Sequence, residues 1–187
     1  MSPSPSTDAE AIERSLREPG AFVTVFERHY AAVHGYASRR VGGDLADEIA
    51  AEAFLLAFDR RSTYDRAYAD ARGWLLAIAS NQLRHHWRAE RRRWDAWVRA
   101  QAGRPAADAL PEALAQSTVD ALAALASDDR EALLLFVWGE LTYDEVARAV
   151  GCPVGTVRSR IARARRRLQA ELPRTEPVRT REEICDV

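Results

Sequence analysis

Along this chain, apolar side chains recur at helical spacing in a series of stretches, separated by breaks where glycine, proline and small polar residues gather. Phe22, Val25, Phe26, Tyr30 and Val33 recur at steps of three and four, and Gly42-Gly43 ends that run. Asp44 opens a second helix, DLADEIAAEAFLLAFDR, in which Ile49, Ala53 and Leu56 share one side. Asp59–Gly73 is polar, carries Tyr64 and Tyr68 and has weak periodicity. It reads as a loop with a short turn of helix at most, and its length marks it as a candidate functional loop. Trp74 to Trp97 returns to helix, with Trp74, Leu75, Ile78 and Ala79 facing inward.

Ala100–Gln116 is rich in small residues and holds two prolines, as a linker does. Beyond it Val119, Leu122 and Leu125 form a stripe, Ser127-Asp128 mark a cap, and Ala132–Trp138 are continuously apolar, as in a buried helix. Leu141–Leu168 is the most informative stretch. Thr142 with Glu145 makes a capping box for a helix through Val150, Gly151 stops it, and Cys152-Pro153 restarts the chain, with a second helix expected from Pro153. Val157, Ile161, Ala164 and Leu168 then build one apolar stripe, so the whole reads as a helix-turn-helix. The proline- and serine-rich start, MSPSPSTD, is expected to be a disordered lead-in without a packing role, folding beginning near Ala9. The stretch after Leu172 is expected to be a mobile tail.

The fold class expected is therefore all-α, with two small helical domains on a flexible linker. The boundaries are a lead-in 1–8, a first domain 9–99, a linker 100–117, a second domain 118–172 and a tail 173–187.

Composition changes this picture little. A formal net charge of -1 argues against a protein that coats nucleic acid indiscriminately, so the location of charge matters more than its sum. Every basic residue is arginine, which fits a GC-rich coding sequence as readily as any functional demand. Cys152 and Cys185 lie far apart and indicate neither a disulfide framework nor a zinc ribbon. Without an apolar run of membrane length or a signal-peptide pattern, a soluble cytoplasmic protein is expected, with no membrane insertion.

Three surfaces carry candidate chemistry. On the last helix Arg158, Ser159, Arg163, Arg166 and Arg167 fall outside the apolar stripe, where guanidinium groups reach phosphates or fork onto guanine; the bland alternative is a solvated basic face. On the Trp74–Trp97 helix Asn81, Arg84, His85, Arg88, Arg91 and Arg92 mix with aromatic residues, a combination suited to unpaired bases and their backbone. Asp44, Asp47, Glu48 and Glu52 form an acidic edge near a helix start, where carboxylates also suit the helix dipole. No histidine lies in register with them, so no metal or other cofactor is expected. The chain has no nucleophile elbow, phosphate-cradling glycine loop or metal-ligand cluster, and no enzyme is expected either.

Three motifs, ADEIAAEAFLLAF, GWLLAIASNQLRHHWRAERRR and LTYDEVARAVGCPVGTVRSRIARARRRL, occur in an order that resembles the extracytoplasmic-function RNA polymerase sigma factors of the sigma-70 family, from Phe22 to Leu172. The resemblance implies a region 2-like first domain and a region 4-like second one. It implies core RNA polymerase as partner, through the β′ clamp helices and the β flap, with Asp44, Asp47, Glu48, Ile49 and Glu52 docking on the clamp helices. It places promoter −10 contacts at Tyr64 in the loop, which receives a flipped base, and at Asn81, Arg84, His85, Arg88 and Arg91. His85 stands where the family commonly has an acid, so no −10 sequence is carried over.

For the −35 element it implies Thr156, Arg158, Ser159, Arg160, Arg163 and Arg166, with Arg158, Ser159 and Arg163 toward base edges or adjacent phosphates and Arg160, Arg165 and Arg166 toward backbone or solvent. An anti-sigma partner is permitted by the resemblance. Cys152 at a helix start reads as a small cap residue rather than a redox switch. The competing reading is a helix-turn-helix regulator with an N-terminal sensing domain, which leaves the Trp74–Arg93 helix without a purpose.

Overall fold

The computed structural model describes residues 7–100, 121, 122 and 124–171, and the side chains of these except 44, 87–100 and 171. Among them every regular element is helical. Helix α1 (Asp8–Ser15) starts at Thr7, whose hydroxyl accepts the Glu10 amide at 3.2 Å while the Glu10 carboxylate takes the Thr7 amide at 3.0 Å. Two donors that a helix start leaves free are thus satisfied reciprocally. Thr7 and Asp8 therefore belong to the fold, and Asp8 is buried, which overturns the expected absence of a packing role up to residue 8. Residues 1–6 of the lead-in lie outside the described residues, as do 101–117 of the linker, Val119, and the tail 173–187 with Cys185.

A 3₁₀ turn (Pro19–Phe22) leads into α2 (Val23–Val41), which ends at Gly42, where φ of 83° suits a residue without Cβ. Helix α3 (Gly43–Asp59) begins one residue before Asp44, so Gly42 alone makes the break. The loop that follows contains a 3₁₀ turn (Arg61–Thr63), and α4 (Arg72–Ala100) begins two residues ahead of Trp74. Alanines at 37, 50, 53 and 79 let α2, α3 and α4 approach closely around Val33, Leu75, Leu76 and Leu83, all buried.

Helix α5 (Ser127–Val137) corrects the expected cap at Ser127-Asp128. The helix already includes both, its cap position is Ala126 without a side-chain bond, and Asp128 and Asp129 sit in the first turn. Helix α6 (Tyr143–Val150) has the expected Thr142–Glu145 capping box and ends at Gly151, left-handed at φ 67°. Helix α7 (Val154–Glu171) starts one residue later than expected, because the Pro153 carbonyl accepts the Thr156 and Val157 amides at 2.9 and 3.2 Å and so takes the cap position. Val157, Ile161 and Ala164 are fully buried, and each large apolar side chain so buried contributes roughly 1.5–3 kcal/mol to seating α7.

The two helical groups share one core. At their junction a Cβ on Gly139 would stand 3.2 Å from Leu76 Cδ1 of α4, and 2.5 Å from the Leu135 carbonyl oxygen at the end of α5. Glu131 of α5, 3% exposed, reaches into the first group and takes a two-pronged ion pair from Arg40, both bonds 3.1 Å. The Tyr36 hydroxyl donates to the same carboxylate at 3.2 Å. Burial, first, and then the Glu131 charge push the Tyr36 hydroxyl well above its ordinary pKa, so it remains a donor.

Candidate nucleic-acid interface

The apolar stripe of α7 faces the core, which turns its arginines outward. Arg158 and Ser159 are exposed; the Arg158 guanidinium lies 5.6 Å from the centre of the Tyr143 ring, and the Ser159 hydroxyl donates to the Thr156 carbonyl at 2.8 Å. Thr156 is half-buried and Arg166 exposed. Arg163 is exposed yet held by Asp129 through bonds of 3.0 and 2.8 Å, and that carboxylate raises its pKa further. Arg160 is half-buried and paired, reaching Asp128 at 2.6 Å. The first turn of α5 thus holds two arginines of α7, a partnership across more than thirty residues that no local pattern announces.

On α4, Asn81 and His85 are exposed, and Arg84, half-exposed, donates to Asn81 Oδ1. The Arg88 and Arg91 side chains lie outside the described residues, although both fall on the helix. Tyr64, which the resemblance places among the −10 contacts, is buried, its ring 5.0 Å from that of Trp74 and its hydroxyl donating to the Tyr68 carbonyl at 2.8 Å. Burial, with the charges of Asp8, Asp70 and Asp65, pushes its pKa up to about 12. Tyr64 is an internal prop of the loop, and Asp65–Asp70 form the exposed tip. Tyr68 in that tip lies under the Arg148 guanidinium of α6, 3.8 Å from its ring centre. Arg72, where the loop joins α4, pairs with Glu140 at 3.0 Å. The second helical group therefore covers part of this loop.

On α3, Asp47, Glu48 and Glu52 are exposed. Asp47 accepts the Tyr30 hydroxyl at 3.1 Å and lies 3.2 Å from His34 Nε2, while Glu52 accepts from Gln82 at 2.8 Å. The Asp44 side chain lies outside the described residues. Ile49, expected among the docking residues, is 4% exposed and belongs to the core, as its place in the Ile49–Ala53–Leu56 stripe requires. Leu55 was missed. It is 65% exposed, three residues on from Glu52 and seven from Glu48, and thus on the same face. It borders an apolar groove floored by Phe22, Phe26, Phe54 and Phe58. A leucine in a run of apolar residues looks like core in sequence, which is why periodicity hid it.

Asp8, His29 and Asp70 form a cluster of possible metal ligands within 4.8 Å of one another. The Asp8 carboxylate is already supplied with donors: Arg28 at 2.8 Å, the Ala71 amide at 2.9 Å and His29 Nε2 at 2.5 Å. An adjacent guanidinium repels a cation, so the cluster is a hydrogen-bonded tie rather than a metal site.

A family profile described as Sigma-70 region 2 matches residues 25–93, and one described as Sigma-70, region 4 matches residues 115–168. The ECF RNA polymerase sigma factor SigC of Mycobacterium tuberculosis is 38% identical over 138 residues, covering 67% of this chain and 69% of the relative. The ECF RNA polymerase sigma-E factor of Escherichia coli is 31% identical over 177 residues, covering 85% of this chain and 91% of the relative. The chain belongs to the ECF RNA polymerase sigma factors. This sigma factor binds core RNA polymerase and directs promoter-specific initiation by recognising −10 and −35 elements. The reading as a regulator with an N-terminal sensing domain gives way, because that half of the chain is region 2.

The fold of this sigma factor is similar to CnrH, solved in complex with the cytosolic domain of CnrY, with a TM-score of 0.61 and 23% identity over 87% of this chain and 95% of that one. Among the described residues no helix is long and apolar enough to cross a membrane.

Proposed function

We propose that the exposed face of α3, with Asp47, Glu48, Glu52 and Leu55, docks on the polymerase clamp helices; that the 61–71 loop and the Asn81–His85 face of α4 receive the unpaired −10 strand; and that Arg158, Ser159 and Arg163 read the −35 duplex. The observation that carries this reading is the outward α7 face, because its arginines are presented by a stripe whose other side is buried. The family's chemistry is binding and strand opening, with no covalent step.

The two DNA elements lie about 25 base pairs apart, roughly 85 Å at 3.4 Å per step. A compact globule of this length is only about 40 Å across. The closed arrangement, in which Arg148 of α6 lies over Tyr68 of the loop, must therefore part before both elements are engaged. The solved relatives CnrH and the Bartonella quintana sigma factor RpoE are each described in complex with a partner, for RpoE an anti-sigma factor. A partner that favours the closed state would silence this one.

Reconstitution with core polymerase, followed by mapping of transcription starts on a promoter library, tests the reading. Arg158→Ala is expected to cost about 1–3 kcal/mol and relax one −35 position, whereas Arg166→Ala weakens all sequences alike. Starts that share no upstream elements would sink it.

A further inference from the structure

Helix α1 stands ahead of the segment that matches region 2, which begins at residue 25. It is nevertheless joined to the 61–71 loop along its whole length. At its first turn the Asp8 amide donates to the Ala69 carbonyl at 3.0 Å, and the Asp8 carboxylate accepts the Ala71 amide at 2.9 Å. Toward the other end Glu13 pairs with Arg66 at 2.7 Å, and the Ser15 carbonyl accepts from Arg61 Nε at 3.4 Å. As α1 is followed from residue 8 to 15, its partners fall from 71 to 61, so the helix lies antiparallel along the loop.

The tie is anchored in turn to α2. Arg28 and His29 hold the two Asp8 oxygens at 2.8 and 2.5 Å, and Asp8 is 4% exposed while the loop tip Asp65–Asp70 remains exposed. Beyond its 3₁₀ turn the 61–71 loop has no helix of its own to satisfy its backbone groups, and α1 supplies partners to those of Ala69 and Ala71, while the tip stays exposed.

We propose that α1 is a specificity element of −10 reading, a strap whose Asp8 is the positioning residue that fixes how the 61–71 loop meets an unpaired base. This rests on the assignment of that loop to the −10 strand. Asp8 touches no DNA; its carboxylate acts through the Ala71 amide, next to the bond that its backbone amide makes to the Ala69 carbonyl. Specificity from a held loop is strict in proportion to how little the loop adapts, since an adaptable one re-forms its contacts around other bases.

The test uses the full chain reconstituted with core polymerase on promoters randomised through the −10 region, with transcription starts sequenced. Asp8→Ala is expected to flatten preference at the loop-read position from about tenfold or more to below about threefold, leaving −35 preference and core binding unchanged. Asp8→Asn keeps an acceptor for the Ala71 amide and restores part of the preference. Glu13→Ala, at an exposed pair whose loss spares the fold, acts in the same direction to a smaller extent and decides the matter if Asp8→Ala does not fold. A uniform loss of transcription with the −10 preference intact overturns the inference. Asp65→Ala and Tyr68→Ala in the loop tip separate the two failures. If they alter −10 preference while the Asp8 and Glu13 variants do not, the strap has no part in specificity and the loop reading stands. If none of them alters it, the loop reading fails and the strap with it.

Discussion

Asp8 shows how far a single residue's role lies from its sequence neighbourhood. Its partners Arg28, His29 and Ala71 come from twenty to sixty-three positions further on, so a proline- and serine-rich start concealed it. Burial by itself would raise its pKa, but the Ala71 amide, Arg28 and His29 together hold it below the ordinary 3.8. A carboxylate with a depressed folded pKa contributes stability above its unfolded pKa and loses it as pH falls through the folded value. Wild type is therefore expected to melt higher than Asp8→Asn at neutral pH, with the gap closing as pH falls below about 3.8. Thermal melts from about pH 6 to about pH 2.5 check this, and a gap constant across that range would refute it. Arg158 and Ser159, by contrast, were legible as outward positions because a neighbouring helical stripe places them. Tyr64 was not, since a loop has no period from which to read a direction.

At the scale of elements, the chain's caps were its clearest local signals. The Thr142–Glu145 box and Gly151 together set both ends of α6, and Gly151 sits at φ 67°, where a Cβ meets the following carbonyl. Open space surrounds it, so Gly151→Ala is a test of backbone conformation alone. It is expected to cost about 1–2 kcal/mol in urea unfolding; an unchanged midpoint would mean that the left-handed turn is not held in solution. Boundaries moved by a residue where two signals competed. Pro153 suits a first helical position by its φ, yet its carbonyl serves as the cap. Ser127 suits a cap, yet lies within α5, whose acids Asp128 and Asp129 meet Arg160 and Arg163.

At the scale of the whole molecule, the decisive feature is the buried Glu131–Arg40 pair between the two DNA-reading halves. Removing one partner of such a pair leaves an uncompensated charge, at a cost of about 3–5 kcal/mol. Glu131→Ala is therefore expected to shift the free chain from closed to open. Small-angle scattering would register this as a rise from a radius of gyration near the roughly 16 Å of a compact chain of this length. An unchanged radius would show that the pair does not hold the halves together. The opened variant is also expected to bind core polymerase at least as well as wild type, because α3 stands clear of the broken contact.

The sequence by itself determined the helices, their caps, the apolar face of α7 and membership of the two-module pattern, because these depend on spacing within three or four residues and on backbone groups satisfied locally. Only the tertiary structure decided the places that no stripe fixes: Tyr64 went inward, Leu55 outward, and Arg160 against Asp128. It also decided that α1 binds the loop and that Glu131 closes the two halves on each other. Such choices depend on charges and surfaces brought together across tens of residues, and periodicity records the face a side chain takes on its own helix but not the group that meets it there.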